Sequence, residues 1–222
     1  MDVAELLECY SVGDRYFAQL SLRDANLSEA CLRDINLSGA DLTQLTASAA
    51  NLQDAHLQEI ILDGSMLWRT DFSRACLVRA SLNRANLIRA VFCNSNLRQA
   101  SLRHADLRLV NFQNANLSAA VLIGADLRYA NLQGANLEGA DLSRADLTGA
   151  NLSEADLCSA TLSHAVLAKT DFSNADLRFV SMDGVDFRDS NLRGACLPQP
   201  RFTTSAHESV KLTRTLLASI RE

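Results

Sequence analysis

The chain has 222 residues, 48% of them hydrophobic but only 5% aromatic, with two prolines and nine glycines. That is enough apolar material for one sizeable core and too little bulk for a wide one, so a narrow interior is expected. No apolar run is long enough to span a bilayer. The opening MDVAELLECY carries acids where a signal peptide carries basic residues, so a cytoplasmic protein is expected.

Taken in chain order, the first predicted element is a short helix. Val3, Leu6, Leu7 and Tyr10 share one helical face, and Gly13 follows as a stop. Residues 1–16 are therefore expected to form an N-terminal helical cap.

A repeat follows. At every fifth position from Leu22 to Leu197 the chain holds Leu, except for Phe72, Phe92, Phe112, Phe172, Phe187, Met182 and Ala47. Two residues before each of these positions it holds mostly Ala, and one residue before it favours Asn, Asp or Ser. No insertion or deletion breaks the phase. A straight helix would smear a five-residue repeat around its surface, because five steps of about 100° leave about 140° net. A continuous strand would send alternate leucines to opposite faces. A chain that turns a corner every five residues puts them all inside. Four such sides make a square coil of twenty residues, and coils stack at about 4.8 Å. An Asn or Asp before the leucine suits a tight turn, because its side chain can bond nearby backbone. Gly39, Gly64, Gly124, Gly134, Gly139, Gly149, Gly184 and Gly194 all fall at one pentad position, where a turn tolerates or requires glycine.

Residues twenty apart then stand above one another. The column 32, 52, 72, 92, 112, 132, 152, 172, 192 reads Leu, Leu, Phe, Phe, Phe, Leu, Leu, Phe, Leu, which predicts stacked rings inside the core. The repeat breaks at LPQPRF. SAHE, residues 205–208, then reads as a capping box opening a helix with a Val210, Thr213, Leu217, Ile220 stripe. Residues 201–222 are expected to form a C-terminal helix that caps the rod or makes a dimer contact, so monomer and homodimer both stay open.

The pattern A(D/N)LXX resembles the pentapeptide-repeat family over nearly the whole chain. The stretch VAELLECYSVGDRYFAQLSL is similar to the lead-in of cyanobacterial members of the heterocyst-pattern regulator type. The resemblance implies an all-β solenoid, a right-handed quadrilateral β-helix. About nine coils over residues 17–200, with short helical caps at both ends, complete the expected architecture. Some relatives protect DNA gyrase and dimerise through their C-terminal ends.

No catalytic constellation stands out. His56, His104, His164 and His207 lack metal-ligand spacing, and His104 and His164 lie three coils, roughly 14 Å, apart. Cys9, Cys31, Cys76, Cys93, Cys158 and Cys196 are scattered without a CxxC and read as free thiols. No phosphate loop or nucleophile elbow appears. The expectation is a non-enzyme with no cofactor and no metal.

A solenoid acts through an outward face. The outward columns 48, 68, 88, 108, 128 and 49, 69, 89, 109, 129 gather Trp68, Arg69, Ile88, Arg89, Arg108, Leu109, Arg128 and Tyr129, with Met66 beside Trp68. Trp, Tyr and Arg are enriched at interface hot spots, and an apolar patch with a charged border suggests a partner site. These nine residues are the candidate partner-binding site.

Charge is uneven along the rod. Residues 1–68 carry three basic and eleven acidic side chains, and residues 69–108 carry eight arginines against two aspartates. Residues 109–222 carry ten basic against thirteen acidic side chains. Arg69, Arg74, Arg79, Arg84 and Arg89 occupy one pentad position in consecutive repeats and should ring the rod as a girdle. The expected function is a protein–protein interaction module that regulates a cytoplasmic partner. The alternative is a DNA-mimicking modulator of DNA gyrase, which needs a continuous acidic rod that the girdle interrupts. Direct nucleic-acid binding is disfavoured, because the basic residues form a ring and no long groove.

Overall fold

The fold is set by how a five-residue unit satisfies its own backbone. In the computed structural model, which describes residues 1–198, the amides of residues 111–115 show the rule. The amides of Phe112 and Asn114 donate to the carbonyls of Asn131 and Gln133 in the coil above, at 2.7 and 3.0 Å. The Asn111 amide donates to Ala90 O in the coil below at 3.0 Å, and the Ala115 amide closes the turn on Phe112 O at 2.9 Å. The fifth amide, that of Gln113, donates to the Asn111 side chain at 3.1 Å. The preference for Asn or Asp before each large residue thus has a cause. That side chain accepts from the one amide the coil geometry leaves over. The same bond recurs, for example, from Thr43 to Asp41, Ser73 to Asp71 and Ser153 to Asn151.

Every fifth residue from Gln19 to Gly194 sits in the left-handed region, with φ between 55° and 73°. In each four-residue turn, only the third residue has positive φ, as a type II turn requires. Most of these residues are not glycine, at a cost on the order of 1–2 kcal/mol each. The adjacent buried leucine contributes about 1.5–3 kcal/mol and the ladder hydrogen bonds add to it, so each pentad is locally favourable.

Parallel bridges link residues twenty apart without interruption, from Tyr16 with Asn36 to Asp176 with Cys196. Four pentads per coil make a four-sided rod. Its second face carries Leu67, Leu87, Leu107, Leu127 and Leu147 inside, and its third carries Phe72, Phe92, Phe112 and Leu132. All large-position residues from Leu22 to Leu192 are buried. The expected ring stack is present: Phe72 and Phe92 lie 4.7 Å apart at 7°, and Phe92 and Phe112 5.0 Å apart at 25°. Phe172 packs instead on Phe187 from the neighbouring face, 6.0 Å away and tilted 58°. Where the small position is polar the hydroxyl bonds a carbonyl, as in Thr70 to Ala47 O at 2.7 Å and Thr170 to Leu147 O at 2.9 Å. Among the described residues no buried side-chain polar atom lacks a partner.

Helix α1 spans Val3–Ser11. Asp2 is its N-cap, and its side chain accepts from the Glu5 amide while Glu5 accepts from the Asp2 amide, a capping box. Leu6 is fully buried in the core, with Val3 and Tyr10 packed against it. Leu7, expected on the same face, is instead exposed at 39%, because the face that meets the rod runs through Val3, Leu6, Cys9 and Tyr10. Tyr10 Oη donates to Arg33 O at 2.8 Å, tying the helix to the first coil. The capping box at 205–208 and the C-terminal helix lie outside the described residues. All six cysteines are free. Cys31 and Cys196 are exposed.

Candidate functional site

The candidate residues come together because the coil ladder puts them there. Arg69 N donates to Ile88 O, Arg89 N to Arg108 O and Leu109 N to Arg128 O, each at 3.0 Å. Four successive coils therefore display these side chains on one face. Met66, Trp68, Leu109 and Tyr129 are exposed, Tyr129 most of all at 63%. Ile88 is half-buried and Arg69 and Arg89 are exposed. The Arg69 guanidinium lies 5.1 Å from the Trp68 ring centroid, a cation–π contact. Tyr129 lies over Gly149, where a Cβ would meet its ring at 2.7 Å. Gly149 also holds φ +68°, so both space and backbone favour glycine there.

The arginines of the patch divide into two kinds. Arg108 donates to both oxygens of Asp106 at 2.8 and 2.7 Å, and Arg128 to both oxygens of Asp126 at 2.8 and 2.6 Å. Each also approaches the carboxylate of the next coil: Arg108 to Asp126 at 3.7 Å and Arg128 to Asp146 at 3.8 Å. The result is a ladder, Asp106, Arg108, Asp126, Arg128, Asp146. Burial pushes the Asp126 carboxyl up, but hydrogen bonds from the Arg128 side chain and amide outweigh it and hold it below its usual value. The carboxylates in turn raise the Arg108 and Arg128 guanidinium values. Both charges that the sequence offered to a partner are thus already matched within the rod. The signal is local. Asp-Leu-Arg and Asp-Phe-Arg put the carboxylate two residues before the arginine, and Asp176 with Arg178 and Asp186 with Arg188 make the same pair.

The girdle divides in the same way. Arg74 binds Asp54 of the coil below through two bonds of 2.7 Å, and this guanidinium holds the Asp54 carboxyl below its ordinary value. Arg79 pairs with Glu59. Both acids stand twenty residues earlier in the same column, so the period itself contained the pairing. Arg84 and Arg89 have no carboxylate partner among the described residues, and neither do Arg69, Arg98 and Arg103. Below Arg84 stands Gly64, and below Arg89 stands Arg69. The girdle is neutralised on the third and fourth faces and uncompensated on the first and second.

A second feature lies toward the C-terminal end of the same face. The amides of Leu147 and Gly149 donate to Val166 O and Ala168 O, both at 2.8 Å. One coil later Val166 is still bridged to Asp186, but the Leu167, Lys169 and Asp186 amides lack close bonds of that kind. The ladder is looser here, beside a concavity of about 630 Å³ lined by His164, Val166, Ala168, Gly184, Asp186 and Arg188, among others. Sequence reading gave no sign of it, because the pentad phase continues unbroken through these residues.

Among the described residues no group of three or more His, Cys, Asp or Glu side chains could hold a metal ion. No helix among them is long and apolar enough to cross a membrane.

The family model for pentapeptide repeats matches in eight overlapping copies that run between residues 21 and 194. Among solved structures, the chain is 32% identical to HetL, a pentapeptide repeat protein involved in heterocyst differentiation regulation in the cyanobacterium Nostoc sp.. That match covers 91% of this chain and 100% of HetL, with a TM-score of 0.50. It is 16% identical to QnrB1, a plasmid-mediated fluoroquinolone resistance protein, over 90% of this chain and 96% of that one, with a TM-score of 0.61. The QnrB1 likeness concerns the fold alone. No curated protein matches the sequence.

Proposed function

Because the chain belongs to the pentapeptide-repeat family, whose fold is the right-handed quadrilateral β-helix, we propose that it is a non-enzymatic protein-interaction module. In this reading the rod of about nine coils is the scaffold, α1 covers its first coil, and residues 201–222 cap the other end or join two copies. The second face, around Trp68, carries recognition of a cytoplasmic regulatory partner. The observation that supports this most is that Met66, Trp68, Leu109 and Tyr129 are exposed on one face within four coils, on a rod whose other outward positions are mostly polar. HetL is involved in heterocyst differentiation regulation, and what we carry over from it is regulation through a partner.

The gyrase-mimicking alternative needs acid along the whole rod. Arg69, Arg84, Arg89, Arg98 and Arg103 stand uncompensated at its middle, which weighs against it. The test is in-cell photo-crosslinking in the native host. A photoreactive residue is placed at Trp68 or Ile88, and at Ser118 or Glu138 on the opposite face. A partner crosslinked from the first pair and not from the second supports the reading. Crosslinks from the opposite face alone overturn it, and DNA gyrase as the crosslinked partner favours the alternative.

A further inference from the structure

We infer that the Trp68 corner, built by Trp68, Arg69 and Arg89 with Arg84 at the preceding turn, receives an acidic protein segment that also carries a large apolar side chain. This rests on the reading of the second face as an interaction surface and adds the partner's chemistry to it. Arg74, Arg79, Arg108, Arg128, Arg178 and Arg188 all meet a carboxylate of the rod itself. The fold offers two easy places for that acid, two residues earlier in the same pentad or twenty residues earlier in the same column. At the corner both places are filled otherwise. Two residues before Arg69 and Arg89 stand Leu67 and Leu87, and twenty before Arg84 and Arg89 stand Gly64 and Arg69.

Arg69 and Arg89 therefore sit one coil apart, roughly 4.8 Å along the axis, as like charges with no acid between them. Like charges stacked across a sheet are destabilising. His104 stands above Arg84 and adds no negative charge. The nearest acid on the first face, Asp63, is already engaged by the Ser81 hydroxyl and the Asn83 amide at 2.7 and 2.8 Å. The carboxylates missing from the corner are the ones a partner would supply. Trp68, exposed and stacked under Arg69, supplies the apolar surface, with Met66 and Ile88 on either side. A uniform polyanion would use the charge and leave this apolar ground unused, so a mixed acidic and apolar peptide fits better than a phosphate backbone.

The test uses the full chain, immobilised, and a random twelve-residue peptide library displayed on phage. Recovered peptides should be rich in Asp and Glu and contain Leu, Phe or Trp. Their binding should fall about tenfold or more with Arg84→Glu plus Arg89→Glu, and should change less than about twofold with Arg74→Gln plus Arg79→Gln. Circular dichroism checks that every variant keeps the fold. Peptides lost with Trp68→Ala but indifferent to the arginine reversals would leave the face reading standing and overturn the acidic partner. Peptides indifferent to both, or no peptides at all, would overturn both. A twenty-base-pair DNA duplex bound in the same arginine-dependent way would replace the protein segment with nucleic acid and overturn the proposal. Thermal melting adds a separate check. Arg89→Glu gives Arg69 its missing acid, so the Tm should rise by about 1–2 °C. A fall of that size would mean the arginine serves the rod and not a partner.

Discussion

Two stretches of one face carry arginine in neighbouring coils and use it in opposite ways. At Arg108 and Arg128 each guanidinium is gripped by its own aspartate and leans on the next. At Arg69 and Arg89 no carboxylate is in reach among the described residues. The backbone is the same in both stretches, with every coil bridged to the next. What differs is the pentad position of the arginine and the residue two places before it. A periodic scaffold thus makes surface charge a matter of local sequence grammar. The rod's interior barely varies, while its exterior switches between self-neutralised and open within one coil.

The largest expected effect breaks both stretches together. Phe92 lies between Phe72 and Phe112 under the same coils. Phe92→Ala should destabilise by about 3–5 kcal/mol, read as a lower urea midpoint, and should weaken peptide binding and ladder integrity alike. A loss below about 1 kcal/mol would show that the stack does not hold these coils. Gly149→Ala acts beside the ladder alone. Left-handed backbone and contact with the Tyr129 ring should cost about 1–2 kcal/mol, with binding at the Trp68 corner unchanged.

A smaller effect separates the two kinds of arginine directly. Arg128→Gln should lower the Tm slightly, as loss of an exposed ion pair does, whereas Arg89→Gln should be neutral or slightly stabilising. Equal losses would erase the distinction. Acid sharpens it further. The native carboxyls of Asp54 and Asp126 are held below their ordinary values, so the unfolded chain takes up protons first as pH falls. Their contribution is complete above about pH 5 and fades as pH drops through the lowered native values. Arg128→Gln should flatten that acid limb and Arg89→Gln should not. The smallest effect is local opening where the ladder is looser. Amide exchange at Leu167, Lys169 and Asp186 should be faster than at Leu147, Gly149 and Val166, and equal protection would mean that the coils close there in solution.

Much of this was legible before any coordinates. The leucine phase, the phenylalanine column and the glycine turn position follow from a period of five and a coil of twenty, because both are set by short-range geometry. The role of Asn and Asp was legible in kind, and the structure supplied the particular amide they bind. Within the candidate site, Trp68, Met66, Leu109 and Tyr129 stand outward as the column count places them. The neutralised state of Arg108 and Arg128 was written in the Asp-Leu-Arg triplets, and that of Arg74 and Arg79 in Asp54 and Glu59, twenty residues earlier. Both signals are visible only when charge is read together with the period. The looser ladder had no such signal. It depends on how Leu167, Lys169 and Asp186 meet across coils, which pentad phase does not encode.

The most direct test of the central claim is calorimetric titration of the crosslinked partner, once identified, against wild type, Arg89→Glu and Arg128→Glu. Arg89→Glu should weaken binding about tenfold or more while leaving the fold as stable or more so. Arg128→Glu should keep affinity within about threefold and lower the Tm instead. The reverse order, with affinity lost at Arg128 and kept at Arg89, would contradict it.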